Sequence, residues 1–81
     1  MKLSIVDTEK VTTYDVAWVE LNTPAGNMVI QAGHVPMMIE LLPEHELLFE
    51  LLNGEQKSMM IVQGFAHVMR TEVKILIPLA I

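Results

Sequence analysis

MMIELLPEHELLFELL, residues 37–52, is the stretch on which the fold turns. Met37, Met38, Leu41, Leu42, Leu47, Leu48, Leu51 and Leu52 fall at helical spacing, with Glu40, Glu44, Glu46 and Glu50 opposite them. Met, Leu and Glu are also good helix formers. Pro43 cuts this run near its middle, where an interior proline would cost a helix about 3 kcal/mol. Each remaining half is short for a helix and ordinary for a strand. With turn residues on both flanks, the stretch is predicted to form two strands.

Outward from it, turn signals recur at short intervals: Asp7-Thr8-Glu9, Thr23-Pro24-Ala25-Gly26, Ala32-Gly33, Pro43-Glu44, Asn53-Gly54 and Gly64. Short strands with turns at this spacing point to an all-β sandwich or barrel. Alternation places Ala17, Val19 and Leu21 on one face of a strand, with Val16, Trp18 and Glu20 on the other. Near the end, Val73, Ile75 and Ile77 face one way, and Lys74 and Leu76 the other. The β-branched and aromatic residues between Thr12 and Val19 suit a pleated surface. Asn53-Gly54 reads as a two-residue type I′ hairpin turn joining Leu47–Leu52 to Lys57–Val62.

Eighty-one residues make one domain. A chain this size buries only about 60–65% of the surface its unfolded form exposes. Its 52% hydrophobic content is high for that size, so either the core is dense or some apolar surface meets a partner. The absence of cysteine excludes disulfides and thiolate metal sites. Five basic residues, scattered along a chain of net charge −5, do not make a phosphate-binding surface, which argues against nucleic acid. No apolar run approaches the roughly 18–20 residues of a bilayer span. The N-terminus lacks the pattern of a signal peptide, because Asp7 interrupts its apolar stretch. These features fit a reducing, cytosol-like compartment.

Catalysis needs converging groups, and few are offered. His45-Glu46-Leu47-Leu48-Phe49 begins like a zinc-protease motif but has Phe49 where the second histidine belongs. His34, His45 and His67 are too far apart in sequence to form a local ligand pair. Ser4 and Ser58 have no neighbouring histidine, and there is no nucleophile elbow or glycine-rich phosphate loop. No catalytic, metal or cofactor site is expected. Met37-Met38 and Met59-Met60 should each give one side chain to the core and one to the surface. His34, in a loop between Gly33 and Pro36, sits where recognition residues concentrate. The apolar tail Ile75–Ile81 is expected to favour self-association when partners are absent.

Residues 22–43, NTPAGNMVIQAGHVPMMIELLP, carry a family resemblance. Pro24, Gly26, Ile30, Gly33, His34, Pro36, Leu42 or its neighbour, and Pro43 match a stretch of the epsilon subunit of F-type (rotary) ATP synthases. The resemblance extends over Lys2–Val6 with Thr8-Glu9-Lys10, over Ile61–Val68, and over Val73–Leu76, covering essentially the whole chain. The chain departs from the family at Asn27 (commonly Glu), Ala32 (Pro), Glu44 (Gly), Gln63 (Gly) and His67 (Glu). Loss of glycine at two positions implies altered turns, and Asn27 puts a charge-based contact there in doubt.

The resemblance implies a flattened two-sheet β-sandwich of about ten short strands, filling residues 1–81 as one domain. It implies a non-catalytic rotor subunit of the central stalk, linking the gamma subunit to the polar loops of the c-ring and coupling ion-driven rotation to ATP synthesis. Its place would be peripheral, at the cytoplasmic face of a bacterial inner membrane, with membrane contact only through the complex. By position, Asn27, Met28 and Gln31 are candidates for the c-ring side, and His34, Met38, Ile39 and Asp7 for the gamma side. Most family members continue into two inhibitory helices. This chain ends at Ile81, so coupling without helical inhibition is the expectation. A β-sandwich interaction module of another complex is the alternative.

Overall fold

The computed structural model describes residues 1–78, which hold eight strands and no helix. In chain order they are β1 (Lys2–Val6), β2 (Val11–Thr23), β3 (Gly26–Ile30), β4 (Met37–Glu40), β5 (His45–Leu51), β6 (Gln56–Ile61), β7 (Phe65–Val68) and β8 (Glu72–Leu76). The ambiguous stretch therefore forms two strands, β4 and β5, separated at Pro43. The sandwich is as expected, but with eight strands among the described residues where about ten were anticipated.

The strands make two layers. The first runs β4-β7-β8-β1 and ends on the N-terminal half of β2; the second holds the C-terminal half of β2, flanked by β3 on one side and by β5 then β6 on the other. All pairings are antiparallel except β1–β8, which lie parallel with Lys2 opposite Glu72 and Val6 opposite Leu76. The molecule measures 36 × 27 × 19 Å. The short dimension suits two sheets about 10 Å apart with a side-chain layer outside each.

β2 joins the layers, and this corrects the alternation read from its sequence. Its pairing with β5 shifts register between Val16 and Trp18. The extra residue there, Ala17, is exposed, whereas Val16 and Val19 are both fully buried. A bulge resets the inward phase by one residue and bends the strand. Val19, Leu21 and Thr23 therefore face the core as one set, Val16 belongs with it, and Ala17 does not.

Between the sheets lies one apolar cluster. Leu3, Ile5, Ala66, Val68, Val73 and Ile75 come from the first sheet; Val19, Leu21, Ile30, Leu47, Phe49 and Ile61 come from the second. Tyr14 in the first sheet meets Phe49 in the second at a ring-centroid distance of 4.9 Å and a tilt of 46°, a favoured aromatic geometry. Met37 and Met59 pack against the cluster while Met38 and Met60 are exposed, as alternation required. Ile75 is fully buried, so it is core and not part of an exposed tail. Residues 79–81 of that tail lie outside the described residues.

Turn chemistry follows the sequence with one change. The β5–β6 hairpin forms, but only Gly54 has positive φ (+90°), so Asn53-Gly54 is not a type I′ pair. Gly54 N–H donates to Leu51 O, Leu51 N–H donates to Glu55 O, and Glu55 N–H is held by the Asn53 side chain. This is a longer hairpin loop, with glycine at its left-handed position. In the β2–β3 turn, buried Thr23 bridges the loop: its hydroxyl donates to Gly26 O and accepts from Ala25 N–H.

Glu44 has φ +57°, the left-handed conformation that glycine adopts without strain. The departure from glycine here has not removed the tight bend; Glu44 adopts it, with its N–H bonded to Val62 O at 3.0 Å. A side chain in this region costs roughly 1–2 kcal/mol, partly offset in a Gly variant by the greater entropy of its unfolded chain. Glu44→Gly is expected to raise stability by about 0.5–1 kcal/mol in urea unfolding. A lower midpoint would show that the Glu44 side chain contributes more than its backbone strain removes.

Candidate interaction surface

No group of three or more potential metal ligands comes together among the described residues. The hollow between Asn22, Leu41–Leu42 and His45–Leu47 has room of about 10 Å³, about that of one water. Exposed side chains stand on the outer faces of the two sheets and on the strand edges.

Cross-strand register defines the outer face of the first sheet. One row runs Met38–His67–Lys74–Ser4–Thr13, and the next Glu40–Phe65–Leu76–Val6–Val11. Four apolar side chains from four adjacent strands thus line up in the second row, with Phe65 and Val11 well exposed. Met38 is 59% exposed at the edge of the same face. Ser4 is buried among longer neighbours, and its hydroxyl donates to Glu72 Oε2 at 2.8 Å. Lys2 approaches the same carboxylate at 3.9 Å.

The candidate residues divide between the two sheets. Asn27 and Met28 lie on β3, an edge of the second sheet, and Gln31 follows its end. Asn27 is exposed and its side-chain amide donates to Asn22 Oδ1 at 3.2 Å. Met28 pairs with buried Leu21 and is half-buried against the core. Met38 and Ile39 lie on β4, the edge of the first sheet, with Ile39 turned inward against the core. His34 stands in the β3–β4 connection; its ring Nδ1 donates to Val35 O at 2.8 Å. That connection is pinned to the β7–β8 turn through Gly33 N–H to Arg70 O at 2.7 Å.

Asp7 opens the β1–β2 turn. Its carboxylate Oδ1 accepts the N–H groups of Glu9 and Lys10 at 2.8 and 2.9 Å. These bonds, helped by the nearby Lys10 charge, hold the carboxyl below the usual aspartate range. Asp7 therefore shapes the turn between Val6 and Val11 as well as presenting charge beside the apolar row. Of the seven candidates, Asn27, Gln31 and Met38 are exposed, and His34 and Asp7 are half-exposed. The apolar row was not anticipated as a unit. Its signal was present in Leu76 sharing a face with Lys74, but the row needs the parallel β1–β8 register to assemble.

Comparison with known proteins places these features in context. A family model described as the β-sandwich domain of the ATP synthase delta/epsilon chain matches residues 1–81. Among solved structures, a chain of the Euglena gracilis mitochondrial ATP synthase (OSCP, F1 and c-ring) is similar at 28% identity and a TM-score of 0.84. That likeness covers 93% of this chain and 48% of the other. A chain in the central stalk and c-ring structure of the Tetrahymena thermophila mitochondrial ATP synthase shares the fold at 16% identity and a TM-score of 0.77. It covers 96% of this chain and 63% of that one. The chain therefore spans between about half and two thirds of the length of these solved relatives. No individually curated protein matches at the same stringency.

Proposed function

Because the chain belongs to the delta/epsilon β-sandwich family of ATP synthases, we propose that it is a rotor component of the central stalk, tying a gamma subunit to the polar loops of a c-ring. The observation that carries this reading is the family match over residues 1–81; the Euglena likeness supports it. In this role the protein performs no bond chemistry. It transmits torque through two docking faces held rigidly on one core, so that ion-driven rotation reaches the catalytic head.

The gamma-facing side is the outer face of the first sheet. Met38 and the row Phe65–Leu76–Val6–Val11 supply the apolar area that a lasting interface needs. His34 and Asp7 border it from the β3–β4 connection and the β1–β2 turn. Asn27 and Gln31, on the edge of the second sheet, face the c-ring loops through uncharged hydrogen bonding. Met28 and Ile39, packed inward, set the position of these neighbours. No helix among the described residues is long and apolar enough to cross a membrane. Attachment to the cytoplasmic side of a bacterial inner membrane would then run through the complex.

Co-purification with a gamma subunit from the same synthase tests the proposal. A stable complex is expected at micromolar concentration, and Met38→Glu should weaken it roughly tenfold or more by placing a charge in a desolvated contact. Asn27→Glu should leave gamma binding unchanged. Absence of any complex at micromolar concentration would favour the alternative, a sandwich that serves another assembly.

A further inference from the structure

The outer face of the second sheet differs in kind from that of the first. Register places Glu20, Glu46 and Glu50 on it, with Trp18, Val29 and Leu48 among them. None of the five basic residues stands there. Lys2 and Lys74 belong to the first sheet, Lys10 and Arg70 to turns, and Lys57 to the inward-facing row opposite Phe49. Trp18, Glu20, Val29 and Gln31 line an open groove with room of about 230 Å³.

The groove combines an indole, a carboxylate, an amide and an apolar wall. Trp18 and Glu20 lie two residues apart on one face of β2, about 7 Å along the strand. Glu50 sits directly across from Trp18, about 5 Å away on β5. An indole with the Glu20 carboxylate beside it in the same groove attracts positive charge, and Glu50, on the β5 side of β2 and outside the groove lining, adds only to the field there. Glu20 forms no ion pair among the described residues. Glu50 has only a long 3.5 Å bond from the Gln56 amide. Val29 offers apolar contact for a methylene chain, and the Gln31 side chain can share hydrogen bonds with donors at its tip.

From this charge complementarity we infer that the Trp18 groove receives an arginine side chain presented by a protein partner. A planar guanidinium stacks on the indole and still directs its N–H groups to the Glu20 carboxylate, a double demand that a lysine ammonium meets less well. The inference goes beyond the stalk assignment and holds whichever protein supplies the arginine.

The chain contains one tryptophan and one tyrosine, so fluorescence excited at the red edge, where tyrosine does not absorb, reports on Trp18 and its groove. The test titrates the full chain with N-acetyl-arginine amide at constant ionic strength, beside its neutral isostere N-acetyl-citrulline amide. A saturable fluorescence change with a dissociation constant of about 1–10 mM is expected for arginine, with citrulline at least about fivefold weaker. Glu20→Gln, a conservative change on a solvated face, should weaken arginine binding roughly threefold, and Glu50→Gln, outside the groove, by less, both leaving the far-ultraviolet spectrum unchanged. A non-saturating response, or equal responses to arginine and citrulline, overturns the inference. So does arginine binding that survives Glu20→Gln undiminished.

Discussion

Phe49→Ala should lower the unfolding free energy by about 3–5 kcal/mol. Phe49 is 2% exposed, pairs with Val19 and Lys57 in the second sheet, and reaches across the sandwich to Tyr14 in the first. Truncation therefore removes one large side chain and opens a void between two layers that have little freedom to close on it. A domain of this length has roughly 4–12 kcal/mol of stability in total. The loss is thus about a quarter or more of the whole stability, and the unfolding midpoint should fall in proportion. Urea unfolding followed by Trp18 fluorescence reads the loss directly. A midpoint within experimental error of the parent would mean that the Tyr14–Phe49 contact does not hold the layers together. Phe49→Leu, which fills most of the space, should recover more than half of the loss.

Gly64→Ala comes second, and its mechanism is steric. A Cβ built on Gly64 would stand 2.8 Å from the carbonyl oxygen of Leu76. The obstacle is backbone, so no side-chain rotation can relieve it. Either Gly64 or the end of β8 must move. Gly64 O accepts the Leu41 N–H at 2.9 Å, and beyond Leu76 the Ile77 N–H donates to Val6 O at 2.8 Å. Any shift therefore strains bonds on both sides, and a loss of about 1–3 kcal/mol is expected. Truncating the Leu76 side chain in the same molecule should not rescue the variant, because the clash does not involve that side chain. Rescue in a double-mutant cycle would contradict the steric account. Gly33, with φ +87° and open space around its Cβ position, makes a useful contrast. Its alanine variant should lose about 1 kcal/mol through backbone strain alone.

How far these features could be read beforehand depends on how local their causes are. The strands β4 and β5 were legible because Pro43 interrupts a helical pattern at short range. The inward set Val73 and Ile75 was legible because nothing breaks the alternation of β8. In β2 the same reasoning failed at Ala17, whose bulge is imposed by the strand leaving one sheet for the other. Likewise, Asn53-Gly54 announced a hairpin, but the bonds of Leu51 and Glu55 chose its loop. Gly64 read as a turn residue; its intolerance of a Cβ comes from Leu76, twelve positions away.

The interaction residues were less legible still. Nothing local distinguishes Met38 from Met37 until β4 is placed at a sheet edge with one face inward. Trp18 read only as one side of a strand. Its groove exists because Val29, on another strand, lies opposite Glu20 and beside it. Resemblance to a family pointed to positions, whereas charge and exposure at those positions required the assembled sheets.

The parallel alliance of β1 with β8 also has a temporal consequence. Lys2 finds its neighbour Glu72 seventy residues later, and β1 lies inside the first sheet, between β2 and β8. As the chain leaves the ribosome, the hairpins β2–β3 and β5–β6 can form from what has already emerged. The first sheet cannot close until residues 72–76 are free of the exit tunnel. Contacts of such long separation are slow to form, because loop closure must precede them. The nascent domain therefore spends most of its synthesis with β1 unpaired on one side, the interval in which an exposed strand edge is most open to wrong partners.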